Sequence, residues 1–413
     1  MADGVANSLD SKWRRLIETI HQSPQQFVIV LTGGGASAVA QLLVVPGGSR
    51  TILEATIPYS AAALANWLGK TPEQYCAEET ALAMATVAYE RGERLSGRAR
   101  AEGGLSRSAA APLPEEVSGD AIAGIACTAA LVSDRPKKGD HRCFVAVQTA
   151  GSTSCVALVL DKGARDRMGE EQLVGQVVLL EAARAAGIPT ASCPPLALRP
   201  GEVVDSHRQE AAALLKELRL GNRRLVWSLP AEGLAIELAS PEHQIPTPKG
   251  VLCGAFNPLH FGHEALRDVA EQLLGGPVYY ELSLHNVDKP PLDYLTIERR
   301  RAQFTSQPLA LTMAPTFAEK GEVLPGVTFV VGADTAERIV QPRYYGDSEA
   351  AMHAALSRIA EQGCRFLVAG RQSGERFVTL ADVPLPGPYA RLFAAIPPDL
   401  FRADVSSTQL RQA

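Results

Sequence analysis

The sequence predicts an α/β protein of two domains, each built on a mainly parallel sheet covered by helices. Three observations carry this. Short, wholly apolar runs alternate with long helical patterns from residue 27 onward. The 413 residues exceed one ordinary domain. A proline-rich stretch near residue 240 breaks the alternation in two. An apolar run of this length suits a strand buried on both faces, as in a parallel sheet between helix layers. FVIVL (27–31), CFVAV (143–147) and CVALVL (155–160) are such runs. Helical periodicity covers 72–92, with Pro72 near its start and Gly92 past its end, and again 169–187. The stretch 97–119 is rich in Gly, Ser, Pro and Arg and is expected to be a surface loop. ASPEHQIPTPKG (239–250) holds three prolines and is expected to be an extended connector. The domains are therefore set at 1–226 and 250–413, with a linker over 227–249. In the second, strands are expected at 250–256, 278–283, 327–332 and 365–370, with helices over 264–276 and 348–363.

Composition narrows the function classes. Lys plus Arg number 40 against 45 Asp plus Glu, a formal charge of −5, so there is no global basic footprint and no nucleic-acid partner is expected. Hydrophobic residues make up 46% and charged ones 21%, the mix of a folded protein. No apolar stretch is long enough to cross a bilayer, and the first twenty residues lack the apolar core of a secretory signal. Neither a membrane nor a secreted setting is expected. The seven cysteines are scattered, odd in number and never in a CxxC pair. That spacing suits neither a disulfide framework nor a zinc knuckle. Reduced thiols in a cytoplasmic protein, and no resident metal ion, are expected.

The residues richest in chemistry are GAFNPLHFGH, Gly254–His263. A buried strand ends, an Asn-Pro turn follows, and His260 and His263 stand at the mouth of a helix. That helix has an apolar stripe of Leu266, Val269, Ala270, Leu273 and Leu274, and Gly275 closes it. Free N–H groups and the positive dipole end favour phosphate at such a mouth, and imidazole donors add directed bonds. Gly254 and Gly262 allow close backbone approach. Near the end of the chain, Ser406, Ser407 and Thr408 are natural helix caps with Arg411 one turn on, a second anion nest.

These two strings resemble the HxGH and ISSTxxR signatures of the nucleotidyltransferase superfamily, particularly the nicotinate and nicotinamide mononucleotide adenylyltransferases. The softer stretches 285–304, 329–339 and 365–374 follow in the family's order, so the resemblance covers about 250–413. It implies a Rossmann-like nucleotidyltransferase fold and adenylyl transfer from MgATP to a small phosphorylated acceptor, with Mg²⁺ held mostly by substrate and water. By the same resemblance His260, His263 and Arg411 act in catalysis. Gly254, Ala255, Phe256, Asn257, Gly262, Asp334, Arg371, Ser406, Ser407 and Thr408 contact the nucleotide, and Lys289 the acceptor. Arg299, Arg300 and Arg301 form a basic run that either reaches substrate phosphates or is a solvated face, with only one arginine expected to point inward. A nicotinate or nicotinamide mononucleotide is the leading acceptor. Other relatives of this fold activate phosphopantetheine or choline, ethanolamine and glycerol phosphates. Residues 305–326 lack the tryptophan of the family's acceptor loop.

In the first half, Thr32-Gly33-Gly34, Pro46–Ser49, Tyr59-Ser60 and Leu68-Gly69 resemble the C-terminal domain of competence-damage protein CinA, the nicotinamide mononucleotide deamidase family. Departures fall at the chemistry. The family's nucleophilic serine falls on Val30 and its lysine on Leu64; its Gly-Pro-Gly-Gly run is replaced by Cys127–Ala130. Hydrolysis needs an activated hydroxyl, so this half is expected to keep a fold without the amidase activity. It would serve as an oligomer scaffold, a ligand sensor or a presenter of nucleotide. The run Gly33–Gly35 after a strand is expected to form either a tight turn or a phosphate loop. The rival reading for the whole chain is a non-catalytic pyridine-nucleotide-binding regulator or scaffold.

Overall fold

The computed structural model describes residues 10–97, 121–135, 138–238, 245–286, 290–373 and 376–402. The chain divides into two compact units, Met1–Ala211 with Asp288–Leu295, and Ala212–Val287 with Thr296–Ala413. It is α/β throughout.

Among the described residues the first unit holds six strands: β1 (Gln26–Thr32), β2 (Ile52–Thr56), β3 (Ile122–Ala130), β4 (His141–Thr149), β5 (Ser152–Leu160) and β6 (Val203–Glu210). Their order is β2-β1-β3-β4-β5-β6. Strand β1 runs parallel to β2 and β3, whereas β3 to β6 follow one another antiparallel. The sheet thus carries both directions. Only Ala150 and Gly151 separate β4 from β5, which is room for a hairpin and none for a crossover. Side chains alternate across β1. Phe27, Ile29 and Leu31 enter one apolar cluster with the helices Ser11–Gln22, Ala36–Val44 and Arg167–Ala185. Val28 and Val30 enter another with the helices Ala61–Leu68 and Glu78–Leu95.

Two expectations about the helix at 72–92 are corrected. It starts at Glu78, because residues before it are held in a turn where the Thr80 hydroxyl donates to the Gln74 carbonyl at 2.5 Å. Gly92 lies inside it, packed so closely that a Cβ would come within 2.6 Å of Ile122. The expected loop at 97–119 lies, after Gly97, outside the described residues. Tyr294 belongs to this unit and is fully buried. Its hydroxyl donates to the Ala150 carbonyl at 2.7 Å and its backbone N–H to Thr153 Oγ1 at 2.9 Å.

The second unit holds β7 (Leu225–Leu229), β8 (Gly233–Ala235), β9 (Gly250–Cys253), β10 (Val278–Ser283), β11 (Leu309–Thr312), β12 (Thr328–Gly332) and β13 (Arg365–Ala369). A small hairpin of β14 (Arg371–Ser373) and β15 (Arg376–Val378) follows, then β16 (Phe393–Ala395). The sheet order is β16-β13-β12-β9-β10-β11-β7-β8. Part of what the sequence assigned to a linker over 227–249, residues 227–229 and 233–235, is therefore sheet. Strand β7 pairs antiparallel with β11, placing Trp227 opposite Ala310 and edge-on to Tyr279 at 6.1 Å. The apolar LVWSL run found a partner, and burial of Trp227 outweighs the pull of the prolines beyond it.

The other six strands of that sheet run parallel. Counted along the chain, their order is 3-2-1-4-5-6, the doubly wound arrangement whose ligand crevice opens where the order reverses. Here that point lies between the carboxyl ends of β9 and β12. Beside it the core contains an ion pair, Lys320 Nζ to Glu281 Oε2 at 2.5 Å, with the Thr312 hydroxyl donating to Oε1 at 2.7 Å. Burial works against the Lys320 charge, and the Glu281 carboxylate overcomes it and raises the ammonium pKa. All seven cysteines are unpaired, and no helix among the described residues is long and apolar enough to cross a membrane.

Candidate functional sites

The second unit's candidate site is built on the turn that leaves β9. Gly254 donates its N–H to the Glu281 carbonyl at 3.1 Å, and a Cβ there would sit 2.7 Å from the Phe256 ring. Only glycine fits beneath that ring. Phe256 is itself in the left-handed region, φ 47°, a conformation that costs a non-glycine residue on the order of 1 kcal/mol. Packing holds it there. Its buried ring meets Tyr280, Phe304 and His263 edge-on at 5.2 to 5.3 Å. The cis Asn257–Pro258 bond follows, with Ala255 and Asn257 exposed.

The helix Phe261–Leu274 begins with His260 as its N-cap, and Gly262 is buried in its first turn. Of the apolar stripe, Leu266 and Ala270 are buried, whereas Leu273 is 43% exposed. His260 and His263 stack, ring centroids 3.8 Å apart. Burial lowers the pKa of both imidazoles, and the neighbouring His260 helps bring His263 down to about 4. Both rings are neutral at pH 7. The His260 backbone N–H donates to His263 Nδ1 at 3.3 Å. That bond assigns the His263 proton to Nε2, leaving Nε2–H as a directed donor.

Two residues support the turn, and the first, Gln303, becomes visible only in three dimensions. Gln303 Oε1 accepts the Leu259 N–H at 2.8 Å, and its Nε2 donates to the Phe256 carbonyl at 3.1 Å. One amide thus fastens both sides of the turn. Arg300 Nη1 donates to the Ala255 carbonyl at 2.9 Å and is the inward member of the basic run; Arg301 is paired with Glu298. Asp334 and Arg371, expected separately as nucleotide contacts, are joined by a 2.7 Å ion pair. Both follow the carboxyl ends of β12 and β13, the edge of the sheet that also carries the histidine turn. Lys289, Ser406, Ser407, Thr408 and Arg411 lie outside the described residues. Among the described residues no His, Cys, Asp and Glu cluster has the arrangement of a metal site.

The first unit has a cavity of about 710 Å³ at the carboxyl end of β1, where Thr32, Gly33, Gly34 and Tyr59 meet. Gly33, φ 77°, lies against β3 so closely that a Cβ would overlap the Ala129 carbonyl oxygen. The glycine run turns the chain from β1 into the next helix, and the amide at its end, Gly35, is already occupied. The Glu171 carboxylate takes the Gly35 N–H at 3.0 Å on Oε2 and the Ser37 N–H at 3.1 Å on Oε1. Ser37 Oγ donates to the Glu171 carbonyl at 3.2 Å. Val30 and Leu64 are core residues of one apolar cluster, so neither position presents a polar group to this cavity.

No protein-family model and no curated protein matches the chain. Among the solved structures similar to part of it are two competence-damage proteins. One is the competence/damage inducible protein CihA from Agrobacterium tumefaciens, with 15% identity over 43% of this chain and 94% of that one, at a TM-score of 0.29. The other is a competence-damaged protein (CinA) superfamily protein from Escherichia coli, with 14% identity over 45% and 90%, at a TM-score of 0.28.

Proposed function

We propose that the second unit is a nucleotidyltransferase that moves an adenylyl group from MgATP to a phosphate-bearing acceptor, first of all nicotinamide or nicotinate mononucleotide, and releases pyrophosphate. The observation that carries this reading is a stacked, neutral histidine pair on a helix N-terminus at the reversal point of a 3-2-1-4-5-6 sheet. In such a transfer an acceptor phosphate oxygen attacks the α-phosphorus while the bond to pyrophosphate breaks. No covalent enzyme intermediate is needed, so positioning and charge stabilisation set the rate. His263 Nε2–H and the first amides of the helix would donate to phosphate oxygens, and neutral rings do so without exchanging a proton. Mg²⁺ arrives with ATP. Arg371 and Asp334 would meet the nucleotide, while Lys289, Ser406, Ser407, Thr408 and Arg411 would complete the phosphate and acceptor contacts.

For the first unit we propose a retained fold without amidase activity, supported by Val30 and Leu64 in the core, with homo-oligomerisation as one role. A cytoplasmic setting agrees with seven unpaired thiols. The test is pyrophosphate release from MgATP with nicotinamide and nicotinate mononucleotides, phosphopantetheine, and choline and glycerol phosphates. Turnover with a mononucleotide, abolished in a His260→Ala/His263→Ala double variant, is expected. Turnover that survives the double variant refutes the site. ATP binding without turnover on any acceptor establishes the regulator instead.

A further inference from the structure

The cavity of the first unit has a selectivity that its glycine turn conceals. A strand, a glycine turn and a helix N-terminus ordinarily make an anion cradle. In this chain a carboxylate of the protein itself fills the cradle. Both oxygens of Glu171 are committed to it, one on Gly35 and one on Ser37, and a Cβ on Gly34 would lie 3.2 Å from Oε2. An incoming phosphate would find those two amide donors occupied and a negative charge in their place.

The balance of charge around the cavity points the same way. Its charged lining is Asp166, Arg167 and Glu171. Arg167 does not offer a free anion site, since its Nη2 donates to the Gly33 carbonyl at 2.9 Å and stands 3.9 Å from Glu171. The remaining walls are largely apolar. At the mouth Ile57, Tyr59 and Met168 are 49%, 68% and 64% exposed, a cluster of large apolar side chains left to water. Such clusters beside a cavity mark ligand-binding surfaces. Apolar walls, an aromatic ring and a net negative lining together select flat aromatic molecules without negative charge.

We infer that this cavity binds an uncharged or cationic planar aromatic ligand and excludes carboxylate- and phosphate-bearing ones, with Glu171 as the selecting group. The site is separate from nucleotidyl transfer and stands whether or not that activity is found.

The test uses the full chain with methyl-labelled methionine and four naphthalene probes of one shape: the amidine, the amide, the carboxylate and the aryl phosphate. The Met168 methyl resonance, assigned by Met168→Leu, reports occupancy. Amidine and amide are expected to shift it saturably, with dissociation constants at least tenfold below those of the two anions. In Glu171→Gln the gap is expected to narrow to threefold or less, because the repelling charge is gone. Ala40→Phe, on the exposed rim, is expected to abolish all shifts by filling the space. Carboxylate or phosphate binding as tight as the amide in the wild-type chain overturns the inference. So does the failure of every probe to move the Met168 resonance at millimolar concentration. The wild-type ranking alone decides, even if Glu171→Gln fails to fold.

Discussion

Replacing Gln303 by leucine removes the amide that fastens the histidine turn and keeps nearly the same side-chain volume. Two hydrogen bonds to the turn are lost, at 2.8 Å from the Leu259 N–H and 3.1 Å to the Phe256 carbonyl, along with a 3.2 Å bond from Nε2 to the Arg300 carbonyl of its own helix. Each contributes about 1 kcal/mol net, and somewhat more when its partner stays half-buried without a replacement. Together that is about 2–3 kcal/mol. The turn it releases holds Phe256 in its left-handed conformation and leads directly into His260. If the turn is ordered in the transition state, the loss corresponds to a roughly 30- to 150-fold fall in kcat/KM. Gln303→Glu separates the two bonds: the acceptor for Leu259 remains, and a carboxylate is set against the Phe256 carbonyl. The assay is pyrophosphate release with MgATP, with ATP binding by calorimetry and a denaturation midpoint alongside. Both variants are expected to fold, with ATP affinity and turnover reduced. A Gln303→Leu protein that folds and keeps kcat/KM within threefold of the parent refutes the reasoning, because the turn would then order itself.

Lys320→Met should destabilise the second unit by about 3–5 kcal/mol, since it leaves the fully buried Glu281 carboxylate without its cation. A Glu281→Leu/Lys320→Met double variant should recover most of that in urea unfolding. His263 has a folded pKa of about 4 against an ordinary value of 6.5, so the unfolded chain binds the extra proton first as pH falls. Stability should therefore drop between pH 6.5 and 4, and His263→Asn should flatten that part of the profile. Val30→Ser should cost about 1–3 kcal/mol by placing a hydroxyl in an apolar cluster, and should release no ammonia from nicotinamide mononucleotide. Ammonia release by the parent chain would contradict the proposed loss of hydrolysis.

What the sequence made legible was local. Five- and six-residue apolar runs became strands, the two histidines sat at a helix mouth, and Gly275 closed that helix with φ 63°. The apolar runs at 143–147 and 155–160 suggested parallel strands, whereas β4 and β5 pair antiparallel across the two-residue connection Ala150-Gly151. What stayed hidden was set by distant partners. Gln303 reads as a polar residue at the end of a basic helix, and nothing near it names Leu259 or Phe256. Glu171 reads as one of two glutamates at a helix start, and its partners stand 134 and 136 residues away. The prolines after residue 240 obscured β7, whose place depends on Ala310 and Tyr279.

The anchoring of Tyr294 bears on how this chain can be cut. A fragment beginning at residue 212 or 250 would carry Tyr294 without the strand turn that receives it. It would expose a tyrosine whose hydroxyl and backbone N–H are otherwise both satisfied. A fragment ending at 211 would lack a side chain from its own interior. Protease nicking between the units should accordingly leave the two pieces associated until denaturant is added. Expression of either half alone calls for grafting 288–295 onto the first piece and closing the gap from 287 to 296 in the second.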